Sequence, residues 1–240
     1  EKFLKKYMGA NEVIKGSPRY CVWIEDEDLE EALNYSELQE RILSVKNSRK
    51  QSSAPTTRNT KVPPHRFMQI EGTADTSCIA VPAITSVNRE YLPAEVLRHD
   101  TILSNKCYAL YDAPIWAFPL CVSKLHIVWI GTVCARMRGD FSYSNTLGWN
   151  TFPVPTLTEK NKEDLTRCAE NILLAREAHF PATIADLYDR EKTPENLRQA
   201  HEENDEVLER IYIGRRFRND TERLEKLFDM YTKMAQKNSA

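Results

Sequence analysis

Four polar side chains alternate with apolar or small ones in a single stretch of the chain: Arg136, Arg138, Asp140 and Ser142. In an extended strand successive side chains point to opposite faces, so these four would share one face. Arginine can donate two hydrogen bonds to guanine and aspartate can accept one from the cytosine amine, so these residue types suit the edges of DNA bases. The alternative is a solvated strand whose arginine–aspartate pairs lie on the surface. Taken alone, the stretch favours that alternative.

Residues 41–70 form a basic segment that contains no acidic residue. A local basic face suits contact with phosphates, although the net charge of −2 argues weakly against a nucleic-acid-binding protein. The alternative is a solvated helix end followed by a loop, since cations near the carboxyl end of a helix also suit its dipole. The basic side chains of the segment are Arg41, Lys46, Arg49, Lys50, Arg58, Lys61 and Arg66, with His65 beside them.

The composition is that of an ordinary globular protein, with 41 % hydrophobic and 28 % charged residues among 240. No run approaches the roughly 20 apolar residues of a membrane helix, so we expect no membrane contact. The six cysteines show no C-x-x-C spacing and mostly lie beside apolar residues, which favours buried free thiols in a cytoplasmic protein. The chain begins at Glu1 without a methionine, and we expect it to be part of a longer protein.

The usual sequence strings of several enzyme classes are missing. The seven glycines never stand as G-x-G, no Asp or Glu stands two residues before a Lys, and there is no G-x-S-x-G string. No spacing of His, Cys and Asp resembles a metal site. We therefore expect no catalytic residue, cofactor or metal in this chain. An enzyme assembled from scattered residues such as His65, His126 and Asp140 stays open as an alternative.

Hydrophobic periodicity predicts mixed strands and helices in the first part of the chain. A short helix would end at Gly9, a capping box of Ser36 and Gln39 would open a longer helix, and Ser123 would cap a third. His126, inside that third helix, is interpreted as a core or surface histidine. Residues 51–64 have the composition of an exposed loop. Strands are predicted at residues 19–24, 66–70, 78–83 and 101–111.

After Pro155 the chain shows three helical patterns and almost no β-branched clusters. The second pattern would open with Thr193 as its cap and Pro194 as its first residue, and the third near residues 219–222. These patterns predict an α+β fold: a mixed α/β domain over residues 1–155, followed by a small all-α helical domain over residues 156–240.

Several short segments, taken in order, resemble one protein family. Each is weak alone, but their order and spacing are similar, over essentially the whole chain, to the C-terminal third of the Mme-type (type IIL) single-chain restriction–modification enzymes. Those enzymes fuse a nuclease, an adenine-N6 DNA methyltransferase and a target-recognition domain. The segments are residues 18–24 (PRYCVWI), 52–56 (SSAPT), 81–82 (VP), 88–93 (NREYLP), 112–113 (DA), 123–126 (SKLH), 133–137 (VCARM), 143–144 (YS) and 150–153 (NTFP).

The resemblance implies that this chain is the target-recognition domain plus the helical C-terminal domain of such an enzyme. It would read double-stranded DNA for adenine-N6 methylation and cleavage by the upstream methyltransferase and nuclease domains, its other partners. S-adenosylmethionine and Mg²⁺ would belong to those upstream domains. The base-reading positions of the family match Arg138, Asp140 and Ser142, with Lys106 as the loop partner. They follow a G-R-L-like motif that is here Ala135-Arg136-Met137, so the usual glycine is replaced and the local backbone could differ.

On this interpretation, Arg138 would contact guanine and Asp140 the paired cytosine, so that together they select one G·C pair in one orientation. The predicted contacts to DNA phosphates are Lys46, Arg49, Lys50, Arg58, Lys61, Arg89 and Arg136. Among these, Arg89 suits a structural ion pair equally well.

Two other functional classes remain. One is an interaction module that does not bind DNA, and the other is the enzyme with scattered residues.

Overall fold

Short strands and helices alternate up to residue 142, and long helices dominate after residue 158. This computed structural model describes residues 1–69 and 72–238. The strands are β1 (Leu4–Met8), β2 (Arg19–Val22), β3 (Ser77–Pro82), β4 (Ile84–Thr85), β5 (Glu95–Arg98), β6 (Thr101–Leu103), β7 (Cys107–Tyr111), β8 (Ala135–Met137) and β9 (Asp140–Ser142). The helices are α1 (Ala10–Lys15), α2 (Leu29–Ala32), α3 (Ser36–Gln51), α4 (Pro55–Arg58), α5 (Ala117–Cys121), α6 (Lys124–Val133), α7 (Glu159–Glu177), α8 (Ile184–Leu187), α9 (Glu195–Ile213) and α10 (Asp220–Asn238).

The strands form three small sheets of three strands each, in the orders β2–β1–β6, β5–β3–β7 and β4–β9–β8. In the first sheet β1 runs antiparallel to β2 and parallel to β6. In the third sheet β9 pairs antiparallel with both β4 and β8. A π-helical turn over Asn145–Trp149 follows this third sheet and leads the chain towards α7.

The largest hydrophobic cluster joins the strands to the helices of the tail. Val81 of β3 and Phe118 of α5 pack in the same cluster as Ile172 of α7 and Leu197 of α9, and all four are fully buried. A second cluster joins Trp129 of α6 to helices α7, α9 and α10. Apolar side chains from both sides of the predicted boundary at residues 155 and 156 therefore share one core. The boundary itself stays a prediction.

Buried polar contacts cross the same boundary. Asp205 on α9 accepts hydrogen bonds from the Tyr91 hydroxyl (2.9 Å) and the Lys124 backbone amide (2.7 Å). Burial raises the pKa of the Asp205 carboxyl to about 6. The Arg176 guanidinium on α7 donates to the carbonyl oxygen of Ala94 (2.9 Å) and to the Tyr188 hydroxyl. These contacts fix the tail helices against the strand-rich part of the chain.

The predicted α+β fold is confirmed. Strands β2 and β3 and the helices α3, α6, α7, α9 and α10 lie where the sequence pattern placed them. The Ser123 side chain caps α6 by accepting from the backbone amide of His126. No helix in the described part of the chain is long and apolar enough to cross a membrane.

Three predicted elements are wrong or divided. Residues 4–8 are strand β1 and not a helix, because pairing with both β2 and β6 outweighs the local pattern. Residues 66–69 form no strand, and Ile70 lies outside the described residues. The strand predicted at residues 101–111 is divided into β6 and β7, because Cys107 donates its amide to the carbonyl of Ser104 in a turn.

Two predicted caps and one predicted loop also differ in detail. Helix α3 begins at Ser36 with Tyr35 as its cap, and the Ser36 hydroxyl donates to Glu37. Helix α9 has Pro194 and not Thr193 at its cap, because the Thr193 hydroxyl donates to the carbonyl of Asp189. The loop predicted at residues 51–64 contains the short helix α4.

Candidate nucleic-acid interface

The residues from Ala135 to Ser142 form a hairpin and not one continuous strand. Strands β8 and β9 pair antiparallel, with Met137 opposite Asp140. The two residues between them have positive φ, 53° at Arg138 and 96° at Gly139. A two-residue hairpin turn of this kind needs positive φ at both central positions, and glycine meets that requirement without steric cost. The single extended strand assumed for residues 136–142 is therefore wrong, because the turn divides it into two strands.

The hairpin register changes which side chains share a face. Residues directly opposite each other point to the same side of a sheet, so Asp140 lies beside Met137 and Ser142 beside Ala135. Arg136 lies on the other face, where its guanidinium sits 4.9 Å from the centre of the Phe141 ring and donates to the Gly139 carbonyl (3.2 Å). The predicted common face of Arg136, Arg138, Asp140 and Ser142 is reduced to Asp140 and Ser142, with Arg138 at the turn.

Arg138 and Asp140 are available to a ligand. Arg138 is exposed at the tip of the hairpin, and Asp140 is half-buried at the start of β9. Neither side chain makes a hydrogen bond or an ion pair within 4 Å to another residue that the structure describes. An arginine carries five N–H donors, so its solvated tip can engage a planar acceptor pair without first breaking internal contacts.

The hairpin rests on a rigid base. Strand β4 pairs with β9, placing Ile84 opposite Ser142 and Thr85 opposite Phe141. The buried Phe141 ring packs on α6 where Gly131 leaves room: a Cβ there would lie 3.1 Å from the ring. A side chain at position 131 would require the Phe141 ring to shift by a few tenths of an ångström.

A buried histidine lies beneath the same sheet. His126 is fully buried, with Nδ1 3.0 Å from the carbonyl oxygen of Cys121 and Nε2 3.3 Å from the Tyr143 hydroxyl. A carbonyl only accepts, so Nδ1 carries the proton and Nε2 accepts from Tyr143. Burial lowers the pKa of His126 to about 4. The prediction of a satisfied core histidine is confirmed.

Lys106 lies on a turn next to the hairpin strand. Ala83 joins the two: its amide donates to the Lys106 carbonyl (2.9 Å), and its carbonyl accepts from the Tyr143 amide (2.8 Å). The Lys106 side chain is exposed. The structure therefore brings the loop partner named by the family resemblance to the same edge as β9.

Arg89 occupies a cleft beside the hairpin. It is half-buried, and its guanidinium makes one long hydrogen bond, to the Thr85 hydroxyl (3.4 Å). Burial lowers the pKa of Arg89, while the negative charges of Asp140 and Asp189 act in the opposite direction. The cleft, about 400 Å³ in volume, is lined by Arg89, Asn88 and Asp189 among others. Arg89 has no ion pair within 4 Å among the residues that the structure describes, so of its two interpretations the structural ion pair has no partner there.

The basic segment lies on α3, α4 and the loop that follows. Lys46, Lys50, Arg58 and Lys61 are exposed, and none of them pairs with a carboxylate in the described part of the chain. Most of the cations in the tail helices, by contrast, are paired with acidic side chains. The segment therefore carries a positive charge that the protein itself leaves uncompensated.

Arg49, which was predicted to contact phosphate, turns inward. Its guanidinium donates to the carbonyl oxygens of Val62 (2.9 Å), Pro63 (2.9 Å) and Arg66. Because three donors hold three carbonyls of the following loop, this side chain shapes the loop.

The loop is also fastened to the first sheet by residues 24–26. The Arg66 guanidinium pairs with Glu25, and His65 Nε2 lies 2.7 Å from a carboxylate oxygen of Asp26. These contacts lower the pKa of both carboxyls. These contacts were not predicted from the sequence, although the acidic residues near position 25 and the basic block after position 40 have complementary charges.

An aromatic stack completes the attachment of the loop. The Phe67 ring stacks on Tyr7 (6.0 Å between centres) and on Trp23 (5.8 Å). Arg66 and Lys5 lie over the Trp23 ring at 5.8 and 5.6 Å. The loop is therefore held in one shape by side chains.

The residues proposed for the alternative enzyme have separate partners. His65 lies against Asp26, whereas His126 contacts Cys121 and Tyr143 in the core. No group of three or more His, Cys, Asp or Glu side chains that could hold a metal ion occurs within residues 1–69 and 72–238.

Comparisons with known proteins agree with the two-part organisation of the chain. Residues 1–156 match the family model described as the MmeI target recognition domain, and residues 157–238 match the MmeI C-terminal domain. A solved structure of the type IIL restriction–modification enzyme MmeI in complex with DNA superposes with a TM-score of 0.90, at 30 % identity over 98 % of this chain and 31 % of that one.

A curated relative extends this similarity. The protein named DNA methyltransferase A of Bacillus subtilis (strain 168) is 36 % identical over 235 residues, which are 98 % of this chain and 26 % of the relative. The chain thus spans about a quarter of the length of that relative and under a third of the solved enzyme.

Proposed function

This chain belongs to the MmeI family, since its target-recognition and C-terminal domains together match residues 1–238, and from that premise we propose that it reads the base sequence of double-stranded DNA. The observation that carries the proposal is the β8–β9 hairpin, which presents Arg138 and Asp140 without hydrogen-bond or ion-pair partners in the described part of the chain. The MmeI enzyme whose fold is similar was solved in complex with DNA, which supports the same assignment.

Base reading is assigned to the exposed edge of the hairpin. Arg138 donates two hydrogen bonds to O6 and N7 of a guanine, and Asp140 accepts from the N4 amine of the paired cytosine. Each contact supplies about 1–3 kcal/mol of discrimination against the wrong base. Ser142 and Lys106, along the same edge, read neighbouring positions.

Phosphate contacts are assigned to exposed cations, which fix the register of the protein on the duplex. These are Lys46, Lys50, Arg58, Lys61 and Arg136. Arg49 and Arg89, predicted with them, are half-buried and are assigned to positioning the loop and the cleft.

We take the role of this chain within the longer protein from its family. The chain directs adenine-N6 methylation and cleavage performed by a methyltransferase and a nuclease domain elsewhere in the same protein, in the cytoplasm. S-adenosylmethionine and Mg²⁺ serve those domains, and residues 1–155 and 156–240 form the recognition and helical domains. The name of the Bacillus subtilis relative, DNA methyltransferase A, supports the methylation half of this proposal.

The test is an exchange of charges on the hairpin. The double variant Arg138→Glu with Asp140→Arg should invert the preferred base pair at one position and leave the others unchanged. The measurement is the sequence of methylated or cut sites produced by the full-length protein, wild type against variant. Activity at the original site would place base reading elsewhere, and the absence of salt-sensitive duplex binding would favour the alternative of a non-DNA-binding interaction module.

A further inference from the structure

Helix α3 is an unusual element of this fold. It has 16 residues and none of them is buried. Leu38, Ile42 and Val45 form a half-buried stripe on the side that faces the protein. Most of the surface of α3 is therefore exposed to solvent.

The opposite side of α3 is polar and uncharged over most of its length. Ser44, Asn47, Ser48 and Gln51 recur at spacings of three and four residues and so lie on one face. Thr57 of α4 faces them across an open groove of about 810 Å³. We call this the α3–α4 groove. It is lined by Glu40, Leu43, Ser44, Asn47, Ser48, Gln51, Ser52, Ser53 and Thr57.

The α3–α4 groove is formed by internal contacts. The Arg58 guanidinium donates to the carbonyl of Ser52 (2.8 Å), and the Ala54 amide donates to the Ser52 hydroxyl (3.2 Å). Arg49, from the protein-facing side of α3, holds the far end of the loop by its three carbonyl contacts. The two walls therefore keep their spacing without a ligand.

Basic side chains lie beside the groove, and its lining itself is uncharged except at Glu40. Lys46, Lys50 and Arg58 are exposed beside it and have no carboxylate partner among residues 1–69 and 72–238. Glu40, at one end, is the single acidic side chain in the lining. Hydroxyl and amide groups flanked by cations that lack a carboxylate partner are the groups that bond phosphate and sugar oxygens of DNA.

We infer that the α3–α4 groove holds the sugar–phosphate backbone of duplex DNA, independently of base sequence, at a place separate from the β8–β9 hairpin. This inference rests on the proposed function, which assigns Lys46, Lys50 and Arg58 to phosphates, and it adds the polar face of α3 and Thr57 of α4 as the surface that holds the backbone. A phosphate backbone fits the hydroxyl and amide donors of this face and the neighbouring cations that lack a carboxylate partner.

The test places negative charge on the groove floor. Asn47→Glu with Gln51→Glu adds two carboxylates four residues apart on an exposed helix face. Thr232→Glu with Gln236→Glu adds the same charges, at the same spacing, to an exposed face of α10, and so controls for the change in net charge. Binding of the full-length proteins to a randomised duplex pool is measured at several salt concentrations, and the bound DNA is sequenced.

The expected result is that the groove variant binds all duplexes roughly tenfold more weakly and keeps its base preference. The slope of log affinity against log salt concentration should fall by about 1 or more, which corresponds to the loss of at least one phosphate contact. The α10 variant should change affinity less than twofold. Lys46→Gln with Lys50→Gln should repeat the groove effect without adding acid and without removing a contact that shapes the groove. Equal affinity of the groove and α10 variants for duplex DNA would overturn the inference. It would also be overturned if the groove variant kept duplex binding but no longer bound a protein that wild type binds. A wild-type protein that shows no salt-sensitive duplex binding would instead refute the proposed function.

Discussion

Met137 lies directly opposite Asp140, and the two residues between them turn the chain with positive φ. The turn carries Arg138 to the tip of the hairpin, where a non-glycine residue in this conformation costs of order 1 kcal/mol. Such strain persists where the surrounding structure enforces it, and here the β4–β9–β8 pairing does so. Because Arg138 both adopts a strained turn conformation and carries the proposed base contact, mutations at this position can change hairpin stability and base discrimination independently.

We predict that Arg138→Gly and Arg138→Val both abolish discrimination at one base pair but differ in stability. Glycine relieves the strain of positive φ, so the free energy of unfolding should stay within about 0.5 kcal/mol of wild type or rise. Valine, branched at Cβ, should lower it by about 1–2 kcal/mol. Urea unfolding of the three proteins, together with sequencing of bound DNA, checks both halves. Equal stability of the two variants would contradict the turn conformation.

Arg89 offers a prediction that separates two roles. If it positions Asp140, Arg89→Met should relax discrimination at the base pair that Asp140 reads by roughly tenfold and leave the salt dependence of binding unchanged. A phosphate contact would behave differently: all duplexes would bind more weakly, and the slope of affinity against salt would fall by about 1. The half-buried site beside Asp140 favours the first outcome. Asp189→Asn, which removes the other nearby charge, is the companion variant.

Elements whose apolar periodicity is set by residues within the element were predicted from the sequence, and elements that depend on distant partners were not. Strand β3 and helices α7 and α10 were predicted because their apolar periodicity is decided by neighbours within the element. Strand β1 was missed, because its pairing with β6 joins residues almost a hundred positions apart. Local periodicity cannot encode such a partner.

The candidate site shows the same division. The residue types at Arg138 and Asp140 and the basic block could be read from the sequence, since both depend on composition and order. The hairpin could not be derived from alternation, because a strand and a tight hairpin share the same alternating pattern until the turn is placed. Gly139 was the signal for that turn. The hydrogen bonds of Arg49 go to backbone carbonyls at positions 62, 63 and 66, and no sequence pattern predicts contacts of this kind.

Glu209 supplies a stability prediction in the helical tail. Its carboxylate is fully buried and accepts from the Arg223 Nε (2.9 Å), the Phe217 amide (3.0 Å) and the Arg216 Nε (3.4 Å). Glu209→Ala leaves the Phe217 amide without its acceptor and the Arg223 guanidinium with Asp220 as its remaining carboxylate partner, so the free energy of unfolding should fall by about 1–3 kcal/mol. Glu225→Ala, at an exposed position of α10, should change it by less than about 0.5 kcal/mol. Similar losses in urea unfolding for both variants would show that the buried ion pair adds nothing specific.

The low pKa of His126 predicts how stability depends on pH. The folded protein holds this imidazole neutral down to about pH 4, whereas the unfolded chain protonates it near its ordinary pKa of 6.5. Below pH 6.5 the unfolded state therefore binds more protons, so the His126 contribution is complete above pH 6.5 and is lost as the pH falls towards 4, at about 1.4 kcal/mol per pH unit. His201, whose pKa burial also lowers, acts in the same direction, while the raised pKa of Asp205 opposes both below pH 6.

The variant His126→Gln isolates this contribution, because glutamine keeps hydrogen-bonding capacity but does not titrate in this range. At pH 7.5 the variant should be less stable than wild type, since the contacts to Cys121 and Tyr143 are imperfectly replaced. As the pH falls from 6.5 to 4.5, the gap between the two proteins should narrow by roughly 2–3 kcal/mol, because only wild type loses stability through this site. Urea unfolding at intervals of half a pH unit measures the gap, and the Asp205 and His201 contributions cancel because both proteins share them. A gap that stays constant down to pH 4.5 would mean that His126 is protonated in the folded protein as readily as in the unfolded chain, and that the base of the reading hairpin is solvated.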